Sequence, residues 1–370
     1  MRIEKQRLLN EFSSLVAIDS PSCGEKRMGD YIKSVLLSLG FKVTQDDAHG
    51  QNPDGCGNIY GYLAGDIPGE PVLFCAHMDT VEPSCGKRAV FHADGMITSG
   101  GDTVLGADDC AGIAAILEAL RTIQDLQLSH RPIEVLFTVA EELYCKGARA
   151  FDFTPIRAKE AYVLDLTGPV GTAAYQAPSI LSFTAQMQGK AAHAGFAPQD
   201  GVHAIAVAAT AISRLQMGRI DEGTTLNIGM IEGGTATNIV PDRCTVSGEI
   251  RSYSHQKALA QVDRVRECFV TAADEAGALA QVDITCCCEG YETPLTHPVA
   301  ARFQAACERL MLPASLCKTF GGSDNNILAG HGIAGLVIAT AMNRCHSCEE
   351  YTTAEELCRI AELTLLLMSL

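Results

Sequence analysis

Three short clusters of acidic and histidine residues in this chain, His77-Met78-Asp79, Asp108-Asp109 and Glu141-Glu142, each stand at the end of an apolar run, and Asp165 follows a fourth. The runs at 71–76, 133–139 and 161–164 are short and almost continuously apolar, the pattern of strands buried on both faces. A helical pattern at 111–123 lies between the first two, and strand, helix, strand in succession points to a sheet flanked by helices. The polar clusters then fall at the C-terminal ends of the strands, where open α/β sheets bind ligands. Carboxylate oxygen and imidazole nitrogen are also the donors that a pair of hydrolytic divalent metal ions uses, and His346 offers a further imidazole near the C-terminus.

The rest of the chain sorts around this pattern. Met28, Ile32, Val35, Leu36 and Leu39 mark one helical face, with Gly40 placed to end it. After Ala177-Pro178 the character changes. Residues 181–188 alternate like a half-exposed strand, 204–215 form an apolar-faced helix, and strands are expected near 225–231 and 244–252. A long helix over about 256–276, stopped by Gly277, and a strand at 282–286 complete the block. Past Gly290-Tyr291 the first pattern resumes, with a helix at 299–310, a strand at 335–339 and a closing helix from Ala354. The expected architecture is α/β: a mixed-sheet catalytic domain flanked by helices (1–177 and 291–370), interrupted by a two-layer α+β insert (178–290).

With 370 residues, 47% hydrophobic and 19% charged, the chain can bury a sizeable core and is not of disordered composition. A net charge of -16 without a Lys/Arg cluster argues against a nucleic-acid partner. No apolar run is long enough to span a bilayer, and the mixed-charge, helix-like opening Met1-Arg2-Ile3-Glu4-Lys5 lacks the core of a signal peptide. A cytoplasmic protein with no membrane partner is expected. The 16 cysteines are scattered, several inside apolar segments, and read as free thiols.

Each polar cluster also has a plain structural reading. His77 and Asp79 can be a strand-end histidine and a solvated acid. On a continuing strand, though, they share a face, so that one can bind metal while the other fixes its tautomer. Asp109 can serve the start of a helix, whereas Asp108 in its Gly-Ala-Asp-Asp turn is better placed to bridge cations. Adjacent acids such as Glu141 and Glu142 repel at a buried strand end unless cations or a shared proton relieve them, so one can bind metal while the other moves protons.

The set His77-x-Asp79, Leu105-Gly-Ala-Asp-Asp109, Thr138-Val-Ala-Glu-Glu142, Asp165 and His346 resembles the co-catalytic zinc exopeptidases related to peptidase T and carboxypeptidase G2, above all the bacterial peptidase T-like branch. Gly189-Lys-Ala-Ala-His-Ala-Gly195, Gly218-Arg-Ile-Asp-Glu222, Gly233-Gly-Thr-Ala-Thr-Asn-Ile-Val240 and Gly321-Gly-Ser-Asp-Asn325 extend the likeness over nearly the whole chain. The resemblance implies two divalent ions, zinc first, with cobalt or manganese as alternatives. One would be held by His77 and Asp165, the other by Glu142 and His346, with Asp108 bridging. It implies Asp79 as the orienting acid, Glu141 as general base, and a cis peptide between Asp108 and Asp109. It also makes the insert a lid and dimerisation domain in which His193, Asn238 and Arg251 contact a short peptide substrate; His193 can act in cis or in trans, and if it acts in trans, as the family histidine it resembles does, the active unit is a homodimer.

The function so implied is release of the N-terminal residue from short peptides, in the manner of a tripeptide aminopeptidase. Other amide hydrolases on the same scaffold (carboxypeptidase, dipeptidase or N-acyl amino acid deacylase) remain open, as does a non-catalytic homologue that binds metal or peptide. An intact Glu141 speaks against the last. Cys345-His-Ser-Cys348 raises a rival thiolate-zinc or redox reading, but no second pair of matching spacing supports it.

Overall fold

The structure, a computed structural model, describes residues 3–48 and 55–370. The opening Met1-Arg2 and His49, a histidine given no role, lie outside the described residues. The chain forms two compact units, one of Met1–Gln176, Glu292–Thr319 and Ser323–Leu370, the other of Ala177–Tyr291 and Phe320–Gly322.

The first unit is built on a nine-stranded mixed sheet. Its middle is parallel: Ile133–Thr138, Val72–His77, Glu160–Leu166 and Ala334–Ala339 lie side by side in that order. Val72–His77 and Ile133–Thr138 are buried at every position, which explains why their sequences run apolar instead of alternating. One side ends in the antiparallel strands Ile59–Leu63 and Lys42–Gln45. Register decides what the strands bring together. His77 pairs with Thr138, and Cys75 pairs with Val163, so His77 and Asp165, each two residues further on, finish neighbouring strands at the same end.

The helix Ala107–Leu126 packs against Val72–His77 on this sheet and against the helices Lys5–Val16 and Ala354–Ser369. It is apolar nearly all round and buried almost throughout, as such a sequence must be. Asp108 and Asp109 have non-helical backbone angles inside its assigned span, so the aspartate pair forms a bend at the entrance to the helix. A small three-stranded sheet, Ala89–Phe91, Met96–Ser99 and Tyr351–Thr353, was not visible in the hydrophobic pattern, because its strands are too short to show a period. It matters for the site: Tyr351 also bridges Asn343, and the loop pinched off between them carries His346.

The second unit is a five-stranded antiparallel sheet in the order Gly218–Asp221, Thr224–Gly233, Arg243–Ser252, Ser179–Gln188, Leu279–Cys288, with the helices Ala204–Ser213 and His255–Ala276 packed on it. Leu181, Phe183, Ala185 and Met187 alternate inward from one central strand to build the second core. Gly277, at φ +68, ends the long helix in the left-handed conformation. The mixed catalytic sheet with an inserted antiparallel domain is the fold class expected from the sequence.

All sixteen cysteines are free thiols. Among the described residues no helix is long and apolar enough to cross a membrane. Of the ten histidines, seven besides His77, His193 and His346 have no acidic partner in a comparable sequence context, and six of these lie in the described chain and serve locally. His203 and His297 cap helices, His92 meets Thr98, His130 meets Arg131, His255 meets Ser179, and His331 stacks on Phe153.

Candidate metal centre

His77 sits at the end of its strand, 2% exposed. Its Nδ1 faces acceptors, the backbone oxygen of Asp79 at 2.9 Å and Asp79 Oδ1 at 3.5 Å. That ring nitrogen therefore carries the proton, and the Nε2 lone pair is left pointing at Asp108 Oδ1, 2.9 Å away, and Asp165 Oδ1, 3.9 Å away. A lone pair aimed at two carboxylates is tolerable only with positive charge between them, whether a proton or a cation.

Asp108 has its second oxygen on the other histidine: Oδ2 is 3.2 Å from His346 Nε2, which also lies 3.0 Å from Glu142 Oε1. His346 stands at φ +60 in its loop, and its side chain is 56% exposed, against 10% for Glu142 and 13% for Asp165. Two sets of donors, His77 with Glu141 and Asp165, and His77 with Asp108 and Glu142, each gather within 4.8 Å. Burial pushes Asp165 and Glu141 well above the ordinary carboxyl range. Asp108 adds to the first effect, and Asp165 adds to the second. Burial alone would do the same to Asp108, but with both rings protonated, as in the absence of a cation, His346 and His77 hold it below its usual range by hydrogen bonding and charge. Three carboxylates and two imidazoles crowded this way are a donor set of the kind and number that suits a pair of divalent ions.

The supporting groups explain how the acids are held. Asp79 is fully buried, and its Oδ1 accepts from the Glu141 backbone at 2.9 Å, while its Oδ2 accepts from Ser22 Oγ at 2.7 Å and the Glu142 backbone at 3.3 Å. It thus fixes His77 and the Glu141-Glu142 turn together. Asp109 performs the structural task expected of it, its oxygens accepting from the backbones of Gly112 and His77. Gly112 is required here, since a Cβ would meet Asp109 Oδ1 at 2.3 Å and the Leu164 carbonyl at 2.7 Å. The Asp108–Asp109 peptide is cis.

Sequence reasoning missed Glu350, Glu25 and Asp324. Glu350 is buried, and its two oxygens accept from the backbones of Gly106 at 2.7 Å and Asp108 at 3.0 Å, clamping the turn that presents Asp108. Glu25 Oε1 accepts from Ala140 N at 2.9 Å, steadying the turn before Glu141. Asp324 is buried beside the end of the strand Ile133–Thr138, accepting from Thr138 Oγ1 at 2.5 Å, with the Cys75 thiol 3.9 Å away. Only the Asp324 stretch carried a signal, as part of a matching motif without an assigned role. Cys345 is packed against the hydrophobic core and Cys348 is exposed, and neither belongs to a cluster of metal donors among the described residues.

In the other unit, His193 pairs with Ile239, next to Asn238, whose carbonyl accepts from Ala194 N at 3.0 Å. His193 Nδ1 accepts from the backbones of Gly195 and Phe196, both at 3.1 Å, so its proton sits on Nε2. Arg251, on a central strand, directs its guanidinium to both oxygens of Glu249 and to the Phe320 carbonyl. The bidentate geometry expected of it toward a substrate carboxylate is here made with a neighbouring side chain.

Comparison with known proteins fits this architecture. A model described as peptidase dimerisation domain matches residues 175–276, and one described as peptidase family M28 matches 58–210. YqjE of Bacillus subtilis (strain 168) is 38% identical over 361 residues, covering 98% of this chain and 97% of that protein. A crystal structure of a tripeptidase from Staphylococcus aureus superposes with a TM-score of 0.96 at 34% identity, over 100% of this chain and 99% of that one. A crystal structure of aminopeptidase PepT from Bacillus cereus does so with a TM-score of 0.91 at 39% identity, over 99% and 98%. Likeness of this extent, through both the sheet and the insert, makes the chain a member of the M20/M28 metallopeptidases, on their peptidase T-like branch.

Proposed function

We propose that this metallopeptidase is an aminopeptidase that releases the N-terminal residue of short peptides, working as a homodimer with two divalent ions, zinc in the first place. The observation that carries the reaction is the convergence of His77, Asp108, Glu141, Glu142 and Asp165 within two overlapping donor groups, with His346 on Asp108 and Glu142. The preference for short peptides with a free N-terminus rests on whole-length likeness to a tripeptidase and to aminopeptidase PepT. The dimer rests on the match to a peptidase dimerisation domain.

His77 and Asp165 would hold one ion, Glu142 and His346 the other, and Asp108 both. When bound, such a pair supplies Lewis acidity toward the scissile carbonyl and a water acidic enough to attack at neutral pH. Glu141 would be the base that takes a proton from the attacking water and returns it to the leaving amine. Its backbone is tied to Asp79, which also fixes the His77 tautomer, so one buried acid sets both the base and a ligand. Protonated on Nε2, His193 is a donor suited to the carbonyl oxygen as charge builds there. Asn238 and Arg251 are the candidates for the substrate's carboxylate end, and Arg251 would have to exchange Glu249 for it.

A panel of di- and tripeptides set against N-acetyl and N-succinyl amino acids, assayed with added zinc, cobalt or manganese, tests this reading. Turnover of free tripeptides with release of the first residue is expected. Preference for the blocked amino acids would replace it with a deacylase.

A further inference from the structure

One buried cluster is left unused by the reaction as described. Cys145 Sγ, a Glu141 carboxylate oxygen and an Asp324 carboxylate oxygen lie within 4.8 Å of one another, and all three residues belong to the first unit. The thiol donates to Glu141 Oε1 at 3.3 Å, and the Cys145 backbone N–H donates to the Glu141 carbonyl at 2.7 Å. Behind it, Asp324 accepts from Thr138 Oγ1 and also lies within hydrogen-bonding reach of the Cys145 thiol, and its Oδ1 is buried.

The backbone makes the choice of residue informative. Cys145 stands at φ +53, in the left-handed region that glycine occupies at least cost, and Tyr144 before it stands at φ +60. A side chain kept in that conformation, 3% exposed, is held for what it touches. What it touches is the carboxylate assigned as base, with a second buried carboxylate beyond it. A thiol that fills the gap keeps the two acids apart and satisfies one oxygen of Glu141.

We propose that Cys145 is a positioning residue for Glu141: its thiol holds Oε1, so that the carboxylate keeps one rotamer and presents its other oxygen to the proton it accepts. This rests on the reading of Glu141 as the base. Asp324, pushed by burial up to about 6 although Thr138 and the Cys145 thiol both act to lower it, is the acid that lies on the far side of the thiol from Glu141.

The test uses the full-length, metal-reconstituted enzyme with a tripeptide substrate and four variants: Cys145→Gly, Cys145→Ser, Glu141→Gln and the double variant Cys145→Gly/Glu141→Gln. Cys145→Gly relieves the backbone, so it is expected to fold and keep its metal content. Its KM should stay within about twofold while kcat drops about tenfold, the effect of losing one hydrogen bond to a charged group. Cys145→Ser restores the donor and should recover at least half of kcat, a rescue that packing alone would not give. In the Glu141→Gln background the glycine substitution should cost nothing further, because both changes act through one group. Wild-type kcat in Cys145→Gly, a serine variant as slow as the glycine variant, or a full extra tenfold loss in the double variant would each overturn the proposal. Should Cys145→Gly fail to fold, Cys145→Ala against Cys145→Ser makes the same comparison. A fast Glu141→Gln enzyme removes the base reading itself, whereas a slow one beside a fast Cys145→Gly removes only the role of Cys145.

Discussion

His346 lies 204 residues beyond Glu142 in the chain, yet its Nε2 stands 3.0 Å from Glu142 Oε1. It enters the centre from a loop, at φ +60, with a side chain 56% exposed, whereas His77 is buried at a strand end. A donor on a loop loses more freedom when it binds than one locked by a sheet. The ion that Glu142 and His346 would hold in the proposed centre should therefore be the weaker-bound of the two. We expect His346→Ala to retain one equivalent of metal under conditions where the wild type retains two, measured by elemental analysis after dialysis. Loss of both equivalents together would show that the sites do not fill independently.

In the proposed reaction Glu141 acts as the base without being assigned to metal. Glu141→Gln keeps the shape of the side chain and removes its basicity. Metal content should stay at two equivalents while kcat falls by about 10² to 10⁴, the usual contribution of a placed general base. Steady-state kinetics beside metal analysis decides it, and wild-type turnover would dismiss Glu141 from the reaction.

Much of this arrangement was readable beforehand, for definite reasons. Val72–His77 and Ile133–Thr138 are buried on both faces, so their sequences announce strands, and the residues that end them announce where the donors stand. The helix His255–Ala276 was bounded by Gly277, whose φ of +68 only glycine adopts cheaply. Glu350 and Glu25 were not readable. Each lies in an irregular segment, Glu350 beside a second acid, Glu349, that pairs elsewhere with Arg344, and their partners lie 242 and 115 residues away, at Asp108 and Ala140. Nothing periodic marks such an acid, since its meaning comes wholly from the backbone donors that the fold brings to it. The loop of His346 was hidden for a related reason: it is shaped by the bridge between Asn343 and Tyr351 and by a three-residue strand.

Glu350 supplies the next expectation. Both of its oxygens are taken by the backbone N–H groups of Gly106 and Asp108, and Gly106 holds φ +73 to make the turn. Removing the carboxylate leaves those donors unsatisfied and frees the residue that bridges the two histidines. Glu350→Ala should weaken metal binding roughly 10- to 100-fold, the typical effect of losing a partner that orients a ligand. Competition against a chelator of known affinity measures it. An unchanged affinity would mean that packing around Asp108, rather than Glu350, sets its position.

Glu118 lies on the same helix as Asp108 and is completely buried, and the N-terminal helix Lys5–Val16 is anchored to it. Arg7 places Nε 2.7 Å from Glu118 Oε2 and Nη2 3.0 Å from Oε1, and Glu4 N donates to Oε1 at 2.8 Å. Arg7 is itself 30% exposed, so most of the desolvation falls on the glutamate. Arg7→Ala would strand that buried charge, a change that costs about 3 to 5 kcal/mol when a buried pair is broken from one side. Replacing both members by apolar residues of similar volume, as in Arg7→Met/Glu118→Leu, removes the stranded charge along with its partner and should recover most of the loss. Thermal unfolding of the three proteins, metal-loaded and at equal concentration, compares them. A double variant as unstable as Arg7→Ala would show that the glutamate's bonds to Glu4 and Thr122, rather than its pairing with Arg7, hold the helix that carries Asp108.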